Sequence, residues 1–197
     1  LNPIQTRVAN VVGLIQSGNR KYRNEYVVIG AHFDHLGTGG AGTGSRKPDT
    51  PGIHTGADDN ASGTAGLLEI AQKLVSQKSR LKRSVIILAF DAEEKGLLGA
   101  KYFTENPLVN LQNIVAMINL DMIGRMKDSS ITVGGVGTSP LFEPLLSGVS
   151  IGRDFSINMT KPGYGPSDHA AFYTKDIPVL FFFTGFHKEY HTPEDSW

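Results

Sequence analysis

Hydrophobic residues occur along the chain in short runs that alternate with polar loops and helical patterns. The most apolar run, Val85 to Phe90, is rich in β-branched residues and is followed by the charged Asp91. Such a run is typical of a strand buried on both faces of a parallel or mixed sheet. The apolar run from Asn113 to Leu120 predicts a second buried strand, so we expect a sheet that is covered by helices.

Other runs predict the remaining strands and helices. Arg7 to Ser17 and Glu25 to His32 flank the turn signal Gly18-Asn19-Arg20, so we expect two antiparallel strands there. Further strands are predicted at 131–134, 155–159 and 178–183. Helices are predicted behind the capping residues of 57–63, over 96–106 and 140–146, and behind Ser167.

Composition limits the class of protein. With 197 residues, 40% of them hydrophobic, the chain can form one compact α/β domain, residues 1–197. Lys plus Arg and Asp plus Glu both number 19, which gives no indication of a nucleic-acid partner. No run approaches the roughly twenty apolar residues of a transmembrane segment. Leu1 to Pro3 does not begin a signal peptide, and the end at Trp197 suggests that a C-terminal helix is missing.

The adjacent carboxylates of Glu93 and Glu94 follow the most apolar strand. In open α/β sheets, ligand crevices form at the carboxyl ends of the strands. Adjacent side chains diverge, so one carboxylate could hold a metal ion while the other moves a proton. The alternative interpretation is that the pair merely begins the next helix, where acidic side chains favour the helix dipole.

Further metal-binding side chains occur at strand ends and helix starts. They are His32, Asp34, Asp58, Asp59, Asp121 and His191. Because the chain has no cysteine, only histidines and carboxylates could bind a metal. One such residue alone is usually a helix cap or a hydrogen-bonded histidine, but five segments together favour a common site. Two zinc ions would be neutralised if three carboxylates and one hydroxide accompanied two neutral histidines.

Competing motifs have less support. The G-x-G-x-x-G pattern of 37–42 is not followed by a helix, which argues against a dinucleotide site. Ser167, Asp168 and His169 are consecutive and cannot converge as a catalytic triad. His187 lies four residues before His191, as zinc ligands on a helix do, but the neighbouring glycine and proline argue against a helix there.

The remaining histidines are expected outside the metal site. His35 lies three residues after His32 on an extended chain, so we expect it to point elsewhere, behind the site or at the surface. His54 lies in a loop rich in glycine and is expected to be solvated. His169 is expected at the start of a helix.

Six segments in this order resemble a known family, the co-catalytic zinc exopeptidases, which include bacterial leucyl aminopeptidases, glutamate carboxypeptidase II and glutaminyl cyclases. The segments are Ala31–Asp34, Gly56–Gly63, Asp91–Gly99, Asn119–Met122, Ser167–His169 and Tyr190–Asp195. The resemblance extends from about Val11 to Asp195. Each segment alone is a weak signal, but their combination is highly specific.

The resemblance implies a role for each matching residue. One zinc would be bound by His32 and Asp121, the other by Glu94 and His191, with Asp58 as the bridge and a cis peptide bond between Asp58 and Asp59. Glu93 would be the general base, Asp34 would fix the imidazole of His32, and the Tyr164 hydroxyl would bind the oxyanion of the transition state.

The resemblance also implies a three-layer α/β/α fold with a mixed, mainly parallel sheet. The implied activity is that of an aminopeptidase with two Zn²⁺ ions, acting on peptide substrates. Alternatives are a single-zinc glutaminyl cyclase, although Tyr190 stands where a cyclase would have tryptophan, and a metal-free receptor or scaffold. An apolar pocket could form from Met122, Tyr164, Phe183 and Tyr190. Arg125 could meet a substrate carboxylate or form a surface ion pair. The oligomeric state stays open, and the resemblance alone favours a secreted or periplasmic location.

Overall fold

The computed structural model describes residues 6–50 and 52–196, so Leu1 to Pro3 and Trp197 lie outside the described residues. The strands are β1 (Val11–Ile15), β2 (Tyr26–His32), β3 (Ser84–Phe90), β4 (Ile114–Leu120), β5 (Ser130–Gly134), β6 (Ser156–Met159) and β7 (Val179–Phe183). The helices are α1 (Gly63–Ser76), α2 (Leu98–Glu105), α3 (Phe142–Ser150) and α4 (His169–Tyr173). None of these described helices has the length and apolar character needed to cross a membrane.

The strands form a single mixed sheet in the order β1-β3-β2-β4-β7-β5-β6. Strands β3, β2, β4 and β7 run parallel to one another, whereas β1 is antiparallel to β3 and β5 is antiparallel to β7. The prediction that the first two strands would pair with each other is therefore wrong. The turn after β1 does not close a hairpin, because β3 lies between β1 and β2 and pairs with both.

Helices cover both faces of the sheet. Side chains of β2 and β3 alternate between two cores: Val28 and Leu88 contact the core of α2 and α4, whereas Ile29 and Val85 contact the core of α1. Helix α3 adds a third cluster beside β5 and β7. Continuous apolar runs are what strands buried on both faces require. The three-layer α/β prediction is thus confirmed.

The parallel arrangement determines where the polar residues gather. Strand β2 ends at His32, β3 ends just before the Asp91 to Glu94 segment, and β4 ends just before Asp121. Since these strands are adjacent and parallel, their carboxyl ends meet at the same edge of the sheet. The turn Ala57–Ser62 and the loop behind β7 reach the same edge.

Candidate metal centre

The buried imidazole of His32 faces two carboxylates at the end of β2. Its Nε2 atom lies 3.3 Å from Asp59 Oδ1 and 3.5 Å from Asp121 Oδ1. Its other nitrogen, Nδ1, lies 3.1 Å from the backbone carbonyl oxygen of Asp34. A carbonyl acceptor at Nδ1 favours the tautomer in which Nε2 is free to bind a metal ion.

His191 forms the corresponding half of the centre. Its Nε2 atom lies 3.0 Å from Asp59 Oδ2 and 3.4 Å from Glu94 Oε2, while Nδ1 lies 3.0 Å from the carbonyl oxygen of Gly44. Asp59 thus presents one carboxylate oxygen to His32 and the other to His191. This is the arrangement of a carboxylate that bridges two metal ions, with a histidine and a further carboxylate on each side.

The position between His32 and His191, where the sequence prediction placed Asp58 as the bridge, is occupied by Asp59. The side chain of Asp58 turns the other way: its Oδ1 accepts a hydrogen bond from the Gly124 N–H at 2.7 Å, and its Oδ2 lies 3.4 Å from His187 Nε2. The cis peptide bond is likewise one residue later than predicted, between Asp59 and Asn60. The two adjacent aspartates point to opposite sides of the turn, so only one of them can face the histidines.

Buried hydrogen bonds hold this turn at the sheet edge. The Asn60 side chain donates to the carbonyl of Leu120 at 3.0 Å and accepts from the N–H of Met122 at 3.1 Å, which ties the turn to the end of β4. Gly56 has a φ of 58°, and a Cβ atom there would lie 2.2 Å from the carbonyl oxygen of Asp59. A side chain at position 56 would therefore displace Asp59.

Asp34 supports the acidic pair rather than the imidazole alone. Its carboxylate accepts the backbone N–H of Glu93 at 2.9 Å and that of Glu94 at 3.2 Å. The carboxylate lies 3.7 Å from His32 Nδ1, farther away than the carbonyl of the same residue. Asp34 therefore contacts His32 through its main chain, and its side chain sets the position of the two glutamates.

The two glutamates lie in different electrostatic environments. Burial, followed by the repulsion of nearby carboxylates, raises the pKa of Glu93 to about 9. Burial also acts on Glu94, but the imidazoles of His191 and His35 outweigh it and lower the pKa of that carboxyl. One member of the pair is thus suited to hold a proton and the other to remain an anion.

The donor atoms fit zinc. Asp121 Oδ1 and Glu94 Oε1 are enclosed and have no hydrogen-bond partner among the described residues. Leaving a buried carboxylate oxygen unpaired is costly, and a cation bound here would satisfy both oxygens. The carboxylates also raise the pKa of His191 to about 10, although burial alone would lower it. Imidazole nitrogens and carboxylate oxygens are ligands that Zn²⁺ accepts.

An open cleft of ≈ 840 Å³ lies over the cluster. The polar floor consists of His32, Asp59, Glu93, Glu94, Asp121 and His191, and the walls include Met122, Tyr164, Phe181, Phe183, Phe186 and Tyr190. The rings of Phe186 and Tyr190 pack edge to face at 4.9 Å, and the Tyr190 ring stacks on His191 at 3.8 Å. Tyr164 is 70% exposed at the rim. The cleft can therefore accept a side chain beside the polar floor.

Residues that the sequence analysis placed elsewhere have definite partners. His187 is buried and contacts Asp58 and Glu189 instead of the metal-binding cluster. Arg125 donates to the buried Asp195 at 3.0 Å and lies 3.6 Å from Glu189 Oε2, so its guanidinium is held in ion pairs, which is one of its two predicted roles.

The loop that contains His54 was predicted to be flexible and solvated, but this residue is buried. Its Nε2 atom lies 2.8 Å from Ser45 Oγ. The loop folds back on itself through a bridge between His54 and Gly37, which removes the imidazole from solvent.

Three residues that support the centre had no definite role in the sequence analysis. Ser167 donates a hydrogen bond from its hydroxyl to Asp121 Oδ2 at 2.7 Å. Asp195 accepts the backbone N–H groups of Asp58 and Asp59. His35 lies against Glu94. For Ser167 and Asp195, the only sequence signal was their place in the motifs that carry the resemblance. For His35, it was the position three residues after His32 in the sequence.

Comparison with known proteins identifies the family of this chain. The sequence matches the model of peptidase family M28 over residues 10–197. It is 31% identical to aminopeptidase YwaD of Bacillus subtilis (strain 168), over 95% of this chain and 39% of that protein. It is 28% identical to leupeptin-inactivating enzyme 1 of Streptomyces exfoliatus, over 82% of this chain and 33% of that protein. The chain thus spans less than half the length of these curated relatives.

Solved structures of similar fold include zinc enzymes. A zinc aminopeptidase from Bacillus subtilis superposes with a TM-score of 0.73 and 28% identity, over 95% of this chain and 44% of that one. A Zn-dependent exopeptidase from Parabacteroides distasonis superposes with a TM-score of 0.74 and 26% identity, over 95% of this chain and 70% of that one. Since the family match covers nearly the whole sequence and the fold agrees with it, the chain belongs to peptidase family M28.

Proposed function

We propose that this chain forms the catalytic centre of a two-zinc aminopeptidase, which removes N-terminal residues from peptides by hydrolysis. The observation that carries the proposal is the position of Asp59 between His32 and His191. Each histidine has its own second carboxylate, Asp121 for His32 and Glu94 for His191. Such a symmetric set of donors is suited to two ions and not to one.

Glu93 is the residue best placed to move a proton. One of its oxygens lies within 4.8 Å of ligand atoms of both His32 and Asp121. When bound, two zinc ions would acidify a water molecule and polarise the scissile carbonyl. Glu93 then takes the proton of the attacking water and passes it to the leaving amine. Burial raises the pKa of this carboxyl in the metal-free protein, and two bound zinc ions beside it would lower that pKa, which would leave the carboxylate free to accept the proton.

Other residues orient the reacting groups. Ser167 holds one oxygen of Asp121, which leaves the other oxygen to face His32. Asp34 holds the main chain of the acidic pair. Tyr164, at the rim of the cleft, is the side chain whose hydroxyl donates to the oxyanion of the tetrahedral state.

The cleft favours an N-terminal substrate residue. Its floor carries the carboxylate of Glu93, which the two zinc ions would not neutralise and which can therefore attract a free α-ammonium group. Among its described lining residues there is no lysine or arginine that could bind a terminal carboxylate. The aromatic walls would contact an apolar side chain on the residue that is removed.

The test is a panel of substrates together with zinc analysis of the purified protein. We expect about two zinc ions per chain, and release of apolar residues from free peptides but not from their N-acetylated counterparts. Equal cleavage of blocked and free peptides would contradict the aminopeptidase assignment. One zinc per chain and cyclisation of N-terminal glutamine would support a cyclase instead, and absence of both zinc and activity would support a scaffold.

A further inference from the structure

His35 lies beside the Glu94 half of the centre, although it is not one of the residues that the resemblance assigns to a metal. Its Nδ1 atom is 3.0 Å from Glu94 Oε1 and 3.9 Å from Asp59 Oδ2. The side chain is only 9% exposed. Ligand atoms of His35, Asp59 and Glu94 all lie within 4.8 Å of one another, as the donors around one small cation do.

The contact between His35 and Glu94 is close but is not aligned as a hydrogen bond. Both His35 Nδ1 and Glu94 Oε1 are enclosed atoms without a hydrogen-bond partner among the described residues. Two donor atoms that lie this close without an aligned hydrogen bond are placed as two ligands of one ion would be. His32 Nε2 and the partnerless Asp121 Oδ1, 3.5 Å apart, repeat the pattern in the other half of the centre.

The surroundings hold the His35 ring in this place. Its ring packs edge to face against His191, with the ring centroids 5.7 Å apart. At Gly56, an added Cβ atom would lie 2.6 Å from His35 Cγ, so the turn that carries Asp59 leaves room for the imidazole only because residue 56 is glycine. The same glycine thus accommodates both the bridging aspartate and the extra histidine.

We propose that His35 is an additional zinc ligand, binding through Nδ1 in the half of the centre that contains Glu94 and His191. This inference rests on the proposed two-zinc function and adds a residue to it. A neutral imidazole adds a donor without changing the charge of the site. One half then has two histidines, and the half of His32 and Asp121 has one.

The consequence is a difference between the two zinc sites. The half with His35 has one more protein ligand, so it should fill first and release its ion last. It should also leave fewer coordination positions open to water or substrate than the half of His32. The two ions are then unequal in affinity even though Asp59 is shared between them.

The experiment is a zinc titration of the metal-free protein against a competing chromogenic chelator. The variants are His35→Ala and His35→Asn, because asparagine keeps a hydrogen-bond donor near the position of Nδ1 but is a poor zinc ligand. His54→Asn is the matched control, since His54 is also buried and near His35 but contacts none of the carboxylates. Circular dichroism of the metal-free forms checks that each variant folds.

We expect both His35 variants to lower the zinc affinity of one of the two binding steps by at least about 100-fold. The loss of a hydrogen-bond partner outside the ligand set lowers metal affinity by about 100-fold at most, so a larger loss indicates a ligand. The other step and the His54→Asn control should match the wild type. Cobalt substitution gives a second measurement: the visible absorption of the tighter cobalt equivalent should change in both His35 variants.

Two results would overturn the proposal while leaving two zinc ions in place. Wild-type affinity in His35→Asn would mean that His35 acts by hydrogen bonding to Glu94, and wild-type affinity in both variants would mean that it has no role at the metal. A wild-type chain that binds no zinc would instead contradict the proposed function itself.

Discussion

Asp195 accepts a hydrogen bond from the backbone N–H of Asp59 at 3.1 Å, although the two residues are 136 positions apart in the chain. The same carboxylate accepts the N–H of Asp58 and a hydrogen bond from Arg125 Nη2 at 3.0 Å. Asp195 is fully buried. The loop behind the last strand therefore contributes His191 to the centre and also holds Asp59 in place.

We expect Asp195→Asn to weaken both folding and metal binding. The amide keeps the shape but loses the charge that attracts two N–H groups and a guanidinium, so the free energy of unfolding should fall by about 1.5–3 kcal/mol. Zinc affinity should fall about 10- to 100-fold, because the backbone of the bridging residue loses its support. Urea unfolding of the metal-free protein and a zinc titration measure the two effects.

The neighbouring Glu194→Gln variant is the control for Asp195→Asn. Glu194 forms an exposed ion pair with Lys47, and exposed pairs contribute little. Glu194→Gln should change neither quantity, and a zinc loss equal to that of Asp195→Asn would show that the whole loop responds nonspecifically.

Exchanging each of the two adjacent aspartates for asparagine distinguishes their roles. Asp59→Asn should lose zinc from both halves, because its two oxygens face His32 and His191. Asp58→Asn should keep both ions, since its amide oxygen can still accept the N–H of Gly124. Elemental analysis after dialysis decides between them. Zinc loss in Asp58→Asn but not in Asp59→Asn would show that Asp58 is the bridging residue, as the sequence predicted.

Exchanging each of the adjacent glutamates for glutamine should also separate their roles in turnover and in metal binding. We expect Glu93→Gln to keep the fold and both ions but to lose about 10²- to 10⁴-fold in turnover, the usual contribution of a general base. Glu94→Gln should lose zinc, because it removes a charged ligand. Initial rates and metal content are measured side by side, with Glu143→Gln on the exposed face of α3 as a neutral control. An active Glu93→Gln enzyme would place the base elsewhere.

Most of the fold could be predicted from the hydrophobic pattern. The runs of β3 and β4 are apolar except for Ser84 and Asn119, and only strands covered on both faces tolerate such runs, so a mainly parallel sheet followed. The pairing of β1 could not be predicted in the same way. A turn between two strands favours a hairpin, but the partner of an edge strand depends on contacts with β3, which is about seventy residues away.

The centre was predicted as a set of segments, and errors arose where the backbone leaves regular geometry. His35 was expected behind the site or at the surface, and the structure places it against Glu94, because β2 ends at His32 and the alternation of side chains along the strand ends with it. The choice between Asp58 and Asp59 depends on the turn around the non-helical Asp59 and Asn60. Periodicity carries no information on such a turn.

The stability of the metal-free protein should depend on pH through His169. This residue is 2% exposed, its ring stacks on Phe181 at 4.4 Å, and its Nδ1 has no hydrogen-bond partner among the described residues. Burial lowers the pKa of His169 from 6.5 to about 4. The unfolded chain therefore binds a proton at a higher pH than the folded chain does.

The direction of the effect follows from these two pKa values. Above pH 6.5 the imidazole is neutral in both states and its contribution to stability is complete, and as the pH falls from 6.5 to about 4 that contribution is lost. We expect a loss of up to about 3 kcal/mol, since each unit of pKa difference corresponds to 1.36 kcal/mol. His169→Phe keeps the aromatic stacking but cannot titrate. The comparison is urea unfolding of both proteins, with a chelator present, at several pH values from 4 to 7. The wild type should lose stability more steeply than His169→Phe, and parallel curves would show that this imidazole titrates alike in both states.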